Sequence, residues 1–108
     1  MTIKNMGRAH GFIEHARGLY GRMEIQMLAI LLEVANQPDI SITELSGKCG
    51  LSDAACSRNV TKLSDGGDSA EGLALVERHS VVGNKRKKKV TLTEKGKDFV
   101  EKLLGKLD

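Results

Sequence analysis

The stretch Ser52–Leu63, SDAACSRNVTKL, is followed downstream by the basic run Lys85–Lys89, KRKKK, which leads directly into VTLTEKG at Val90–Gly96. In the first stretch Cys56, Val60 and Leu63 fall at i, i+4 and i+7 and share one face of a helix, while Ala54, Arg58, Thr61 and Lys62 share the opposite face. The basic run is tied between two segments of strand-like composition, Leu73–His79 and Lys88–Leu92. The intervening Ser80–Lys87 carries the turn signal Gly83-Asn84. The expected local structure is an amphipathic helix followed by a hairpin with a basic tip.

Upstream of this helix, Ser41-Ile42-Thr43-Glu44 has the spacing of a capping box, in which the Ser41 hydroxyl accepts from the backbone at Glu44 and the Glu44 side chain returns to Ser41. A short helix to about Cys49 follows. Gly50 supplies a tight turn, Leu51 an apolar plug between two helices, and Ser52 an N-cap for the next helix. This is the order of a helix-turn-helix. Before it, Tyr20–Asn36 reads as a core helix, with Ile25, Leu28, Leu31, Leu32 and Ala35 at helical spacing and Pro38 barring continuation. Met6–Leu19 reads as a helix weakened by Gly7, Gly11 and Gly18.

The chemistry suits duplex DNA. Ala54 and Ala55 let the start of the helix approach a groove floor, and Arg58 has the fork that pairs with a guanine edge. Ser57, Thr61 and Lys62 are placed for the phosphates, and Ser52, the N-cap, is counted with them as a DNA-binding residue. Taken alone, such a polar face is as often merely solvated, and a lysine run at a terminus is usually a flexible tail. Here the run lies between two strands. A stiff arm bearing Lys85, Arg86, Lys87, Lys88 and Lys89 beside a helix-turn-helix neutralises phosphates and releases counterions.

With 108 residues and a net charge of +3, the chain has the size of a single domain, 1–108. Without the five charges of the basic run the remainder is slightly acidic, so the cationic character is local. No apolar run approaches the ~18 residues that span a bilayer, and Met1–Gly18 has no signal-peptide core. A cytoplasmic, nucleoid-associated protein without membrane contact is expected. Cys49 and Cys56 read as small buried thiols of the core.

Enzymatic motifs are not evident. Gly67-Asp68-Ser69-Ala70-Glu71-Gly72 has the glycine spacing of a phosphate-binding loop, but Leu73-Ala74 follow where lysine and a hydroxyl residue are required. His10 and His15 lie roughly 140° apart on a helix and cannot hold one metal from one face. His79 reads as a strand residue near DNA. No catalytic residue, metal ligand or cofactor is assigned.

The helix-turn-helix, Gly72-Leu73 and Leu75-Val76-Glu77-Arg78, Lys85-Arg86, and Val90-Thr91-Leu92-Thr93-Glu94-Lys95-Gly96 together resemble the MarR family of winged-helix transcription regulators, over about Tyr20 to Gly96. The resemblance implies an α+β, mostly helical fold: a winged helix-turn-helix with a two- to three-stranded β wing and flanking N- and C-terminal helices. It also implies that Arg58 and its neighbours enter the major groove while Arg86 reaches the minor groove. The chain departs from the family at Asn84, where an aspartate is usual, in the longer loop Ser64–Glu71, and in short terminal helices.

The segments 1–19 and 93–107 are the expected dimer elements, because Phe12, Ile13, Ala16 and Leu19 on one can answer Phe99, Val100, Leu103, Leu104 and Leu107 on the other. The competing arrangement is that these helices close the core of one monomer. The sequence therefore points to a homodimeric, sequence-specific regulator of double-stranded DNA, with RNA polymerase a candidate further partner. A winged-helix protein adaptor and an architectural DNA-binding protein are the rival readings.

Overall fold

The computed structural model describes residues 5–67 and 71–108; the side chains of Asn84, Lys85 and Arg86 lie outside that description. The chain runs α1 (Met6–Leu19), α2 (Ile25–Asn36), β1 (Ile40–Ser41), α3 (Ile42–Cys49), α4 (Asp53–Leu63), β2 (Val76–Val81), β3 (Asn84–Leu92) and α5 (Glu94–Gly105). The strands form one antiparallel sheet in the order β1-β3-β2. This is a winged helix-turn-helix, as the sequence implied. No helix among the described residues is long and apolar enough to cross a membrane.

The helix-turn-helix forms through local signals. The Ser41 hydroxyl accepts from the Glu44 backbone N–H at 3.1 Å, and the Glu44 carboxylate meets the Ser41 hydroxyl at 3.5 Å. At the end of α3 the Leu51 N–H bonds to the Ser46 carbonyl and the Gly50 N–H to the Gly47 carbonyl, the double closure of a Schellman turn. Gly50 takes φ +66, where a side chain would be strained. Ser52 then caps α4 by accepting from the Ala55 N–H at 3.1 Å.

Packing anchors these helices. Leu45 of α3 and Cys56, Val60 and Leu63 of α4 are buried with Met27, Ile30, Leu31 and Val34 of α2. Cys56 is fully buried, and burial, with smaller contributions from Cys49 and Asp53, pushes its thiol up to about 11. Burial also raises Cys49, with Glu33 adding to the effect.

Two expectations about α2 are corrected. Tyr20–Glu24 is not helical: Tyr20 closes α1, the Met23 N–H bonds to the Tyr20 carbonyl, and Glu24 is extended. The helix therefore starts at Ile25, and Ile25 is 83% exposed rather than in the core. Apolar residues occupy nearly every position of IQMLAILLEVA, so two overlapping i, i+3, i+4 series exist. Packing selects Met27, Ile30, Leu31 and Val34, with Leu28 beside them, and leaves Leu32 and Ala35 half-buried.

The hairpin is longer and tighter than expected. Val81 pairs with Asn84, which leaves Val82 and Gly83 as the turn, with Gly83 at φ +83. Lys85, Arg86 and Lys87, expected in the turn, thus join Lys88 and Lys89 in β3, and the register shifts between Ser80, paired with Lys88, and Val81. Leu73–Leu75 is not strand. Its backbone N–H groups bond instead to the carbonyls of Lys62, Leu63 and Ser64, which closes the C-terminal end of α4. The part of the loop that is described is thus fastened to α4, while residues 68–70 lie outside the described residues.

The two terminal helices pack on each other within one chain. His15 of α1 stacks on Phe99 of α5 with ring centroids 5.2 Å apart, and Ala16, Phe99, Val100 and Leu103 are buried. Phe12 and Leu19 pack against the same core. Of the stripe expected to form a dimer, Ile13, Leu104 and Leu107 remain exposed, together with Met6.

Candidate nucleic-acid interface

Capping at Ser52 and the apolar anchor of Cys56, Val60 and Leu63 fix the rotation of α4 about its axis, so its opposite face is presented outward. Ala54, Arg58 and Lys62 are exposed on that face, and Ala55, Ser57 and Thr61 are half-buried at its margins. Two of the expected contact residues have local duties. The Ser52 hydroxyl is the N-cap, and the Thr61 hydroxyl donates to the Ser57 carbonyl at 3.0 Å. Lys62 Nζ lies 3.6 Å from a Glu24 carboxylate oxygen, an exposed pair of small energetic weight.

The wing approaches the start of this helix. A groove of about 330 Å³ is lined by Ser41, Ile42 and Thr43 at the start of α3, by Asp53, Ala54 and Ser57 of α4, and by Lys87 and Lys88 of β3. Residues far apart in sequence therefore form one concave, lysine-edged surface. Lys88 also lines a second groove, of about 620 Å³, between the end of α4 and the hairpin, where Asp65, Glu77 and Arg78 lie. Its ammonium group donates to the Ser80 hydroxyl at 2.7 Å. Lys89 is half-buried and pairs in register with both Ser41 and His79. Lys85 and Arg86 occupy β3 beside the turn, and their side chains lie outside the described residues.

Sequence reading missed several participants. Asp53 lines the groove, and the buried Ser46 hydroxyl hydrogen bonds to its carboxylate across the helix-turn-helix. Thr43 joins the groove from α3. Asn59 is buried on α4, with its amide donating to the Ala55 carbonyl at 2.9 Å. Arg78 lies 3.9 Å from Asp65 in the second groove. His79 has a partner, Asp39, at 3.0 Å across the sheet. Only the helical spacing of Asp53, one residue before Ala54, carried a signal in the sequence. The Arg78–Asp65 and His79–Asp39 pairs join residues too far apart for local patterns to connect.

Comparison with known proteins agrees with this geometry. Residues 23–67 match the winged helix-turn-helix DNA-binding family. No curated protein matches the sequence. Among solved structures, RV1404 from Mycobacterium tuberculosis superposes with a TM-score of 0.75 at 18% identity, over 93% of this chain and 64% of that one. MarR superposes at 0.65 with 20% identity, over 96% and 75%. The overoxidized form of AbfR bound to DNA superposes at 0.68 with 15% identity, over 92% and 69%. The chain thus spans 64% of the length of RV1404. Residues 23–67 are thus similar to a winged helix-turn-helix DNA-binding family, and the chain as a whole shares its fold with RV1404 and MarR.

Proposed function

We propose that the chain is a sequence-specific transcription regulator that binds double-stranded DNA as a homodimer. The observation that carries this reading is the groove in which the first turns of α4 meet Lys87 and Lys88 of the wing. A recognition helix in the major groove then places Ala54, Ala55 and Arg58 toward base edges, with Ser57 beside the backbone. The lysines of β3 take the adjacent backbone, where contacts position the protein without reading sequence. Lys85 and Arg86, beside the turn of the wing, extend that contact toward the minor groove. The matched domain is a DNA-binding one, and one superposable structure, AbfR, is bound to DNA.

The homodimer draws support from what α1 and α5 leave uncovered. Met6, Ile13, Leu104 and Leu107 are large apolar side chains still exposed after the monomer core is closed. A second copy covering them creates a two-fold assembly, and two recognition helices then read half-sites about one helical turn apart. Such a regulator acts where the DNA is, by excluding or recruiting RNA polymerase.

Selection from a random duplex library by the purified chain at near-physiological salt tests the reading. A palindromic motif is expected, and it relaxes with Arg58→Ala. Binding without any enriched motif supports an architectural protein instead. Absence of duplex binding at low salt points to the protein-adaptor role.

A further inference from the structure

We propose that Asp53 is a specificity-determining residue of this interface and accepts a hydrogen bond from the exocyclic amine of a cytosine in the major groove; the inference rests on the duplex-binding reading above. Asp53 is the first residue of α4, is exposed, and lines the groove with Ala54, Ser57, Lys87 and Lys88. The N-terminal residues of a recognition helix are the ones that reach base edges. The alanine that follows Asp53 leaves room for that approach. Across the turn, the hydroxyl of Ser46, itself 4% exposed, hydrogen bonds to Asp53 Oδ1. The Ser46 hydroxyl, which also lies 2.9 Å from the Thr43 carbonyl, tethers the carboxylate through Oδ1 and leaves Oδ2 to accept from a partner.

A carboxylate on a face that meets phosphates is repelled unless it finds a donor, so its presence discriminates. Guanine offers two acceptors to the major groove, and thymine offers one acceptor and a methyl group. The adenine amine is flanked by acceptors on both sides, its own N7 and the O4 of the paired thymine, whereas the cytosine amine has an acceptor on one side only, the O6 of the paired guanine. A single free carboxylate oxygen is matched best by cytosine, is penalised by adenine N7, and is repelled by guanine and thymine.

The competing role is structural. An acidic residue in the first turn complements the helix dipole, and the Ser46 bond ties α3 to α4. That role is blind to base identity, and the two roles separate experimentally.

Parallel selections from a random duplex library by the full chain, by Asp53→Asn and by Asp53→Ala make the test, with thermal melting of each protein alongside. Asn keeps an oxygen for Ser46 and a nearly identical shape, so this variant retains the fold. The wild-type motif is expected to contain a cytosine whose preference is lost with Asp53→Asn and shifts toward a base that presents an acceptor, because the oxygen stays with Ser46 and an amide N–H donor takes the place of Oδ2. With Asp53→Ala the preference at that position should fall by roughly tenfold or more while other positions hold. The same motif from all three proteins, with affinity changed uniformly, assigns Asp53 the structural role and overturns the inference while leaving duplex recognition intact. No motif from the wild type overturns the sequence-specific reading and the inference with it.

Discussion

Gly96 lies against the Leu75 carbonyl so closely that a Cβ at position 96 would collide with the carbonyl oxygen. One turn earlier, the Thr93 hydroxyl donates to the Ala74 carbonyl at 2.6 Å and accepts from the Gly96 N–H at 3.0 Å. The Thr93 N–H closes on the Leu75 carbonyl at 3.0 Å. The LTEKG segment is thus the point at which the start of α5 locks onto the stretch that closes α4.

Gly96→Ala is expected to destabilise the fold by about 1–3 kcal/mol, since the obstruction is backbone that cannot rotate away. Thermal unfolding reads this as a fall of about 4–8 °C for each kcal/mol. Gly47→Ala is the control, because a Cβ there meets nothing within 4 Å.

The helix caps should not be equal. Loss of a serine or threonine cap costs about 1 kcal/mol. Ser52→Ala removes one backbone contact, whereas Thr93→Ala also leaves the Ala74 carbonyl without its hydroxyl donor. Denaturant titrations should rank Thr93→Ala as the more damaging of the two.

Lys88→Ala should weaken binding to all duplexes alike and reduce the slope of log affinity against log salt by about one, as expected for one lost phosphate contact. Ser80→Ala removes only the intramolecular acceptor of the Lys88 ammonium and should leave that slope unchanged. Arg58→Ala should instead cost about 1–3 kcal/mol confined to one or two base positions. Binding isotherms at several salt concentrations separate the two patterns.

The Cys56 thiol, raised from 9.0 to about 11, gives a signed pH effect. Between those values the unfolded chain releases the thiol proton and the folded chain retains it. Stability therefore falls as pH rises from 9 to 11. Chemical denaturation across this range should show a decline that Cys56→Ala reduces, and a thiol reagent should label Cys49 before Cys56 in the native protein.

The fold was legible in the sequence wherever the signal was local. Ser41, Gly50 and Ser52 announced the helix-turn-helix because a cap or a left-handed turn depends on a few adjacent residues. Cys56, Val60 and Leu63 likewise gave the buried face of α4. The face of α2 was not legible, since IQMLAILLEVA is apolar on all sides and only the neighbouring helices decide which stripe is buried. The β1 strand has two residues and hence no period to detect. The contacts of Thr93 and Gly96 with Ala74 and Leu75 join segments about twenty residues apart, beyond any local pattern. Of the interface, Ala54, Ser57, Lys87 and Lys88 were anticipated and meet in one groove, while Thr43 and Asp53 entered it only through the fold.

The most direct test of the central claim is backbone amide chemical-shift mapping by NMR on addition of a duplex carrying the selected motif. Shifts should concentrate at Asp53–Arg58 and at Lys87–Lys88 and spare the buried positions Val100 and Leu103 of α5. Shifts confined to α1 and α5, or none at a concentration where the duplex is bound, would contradict the proposed face.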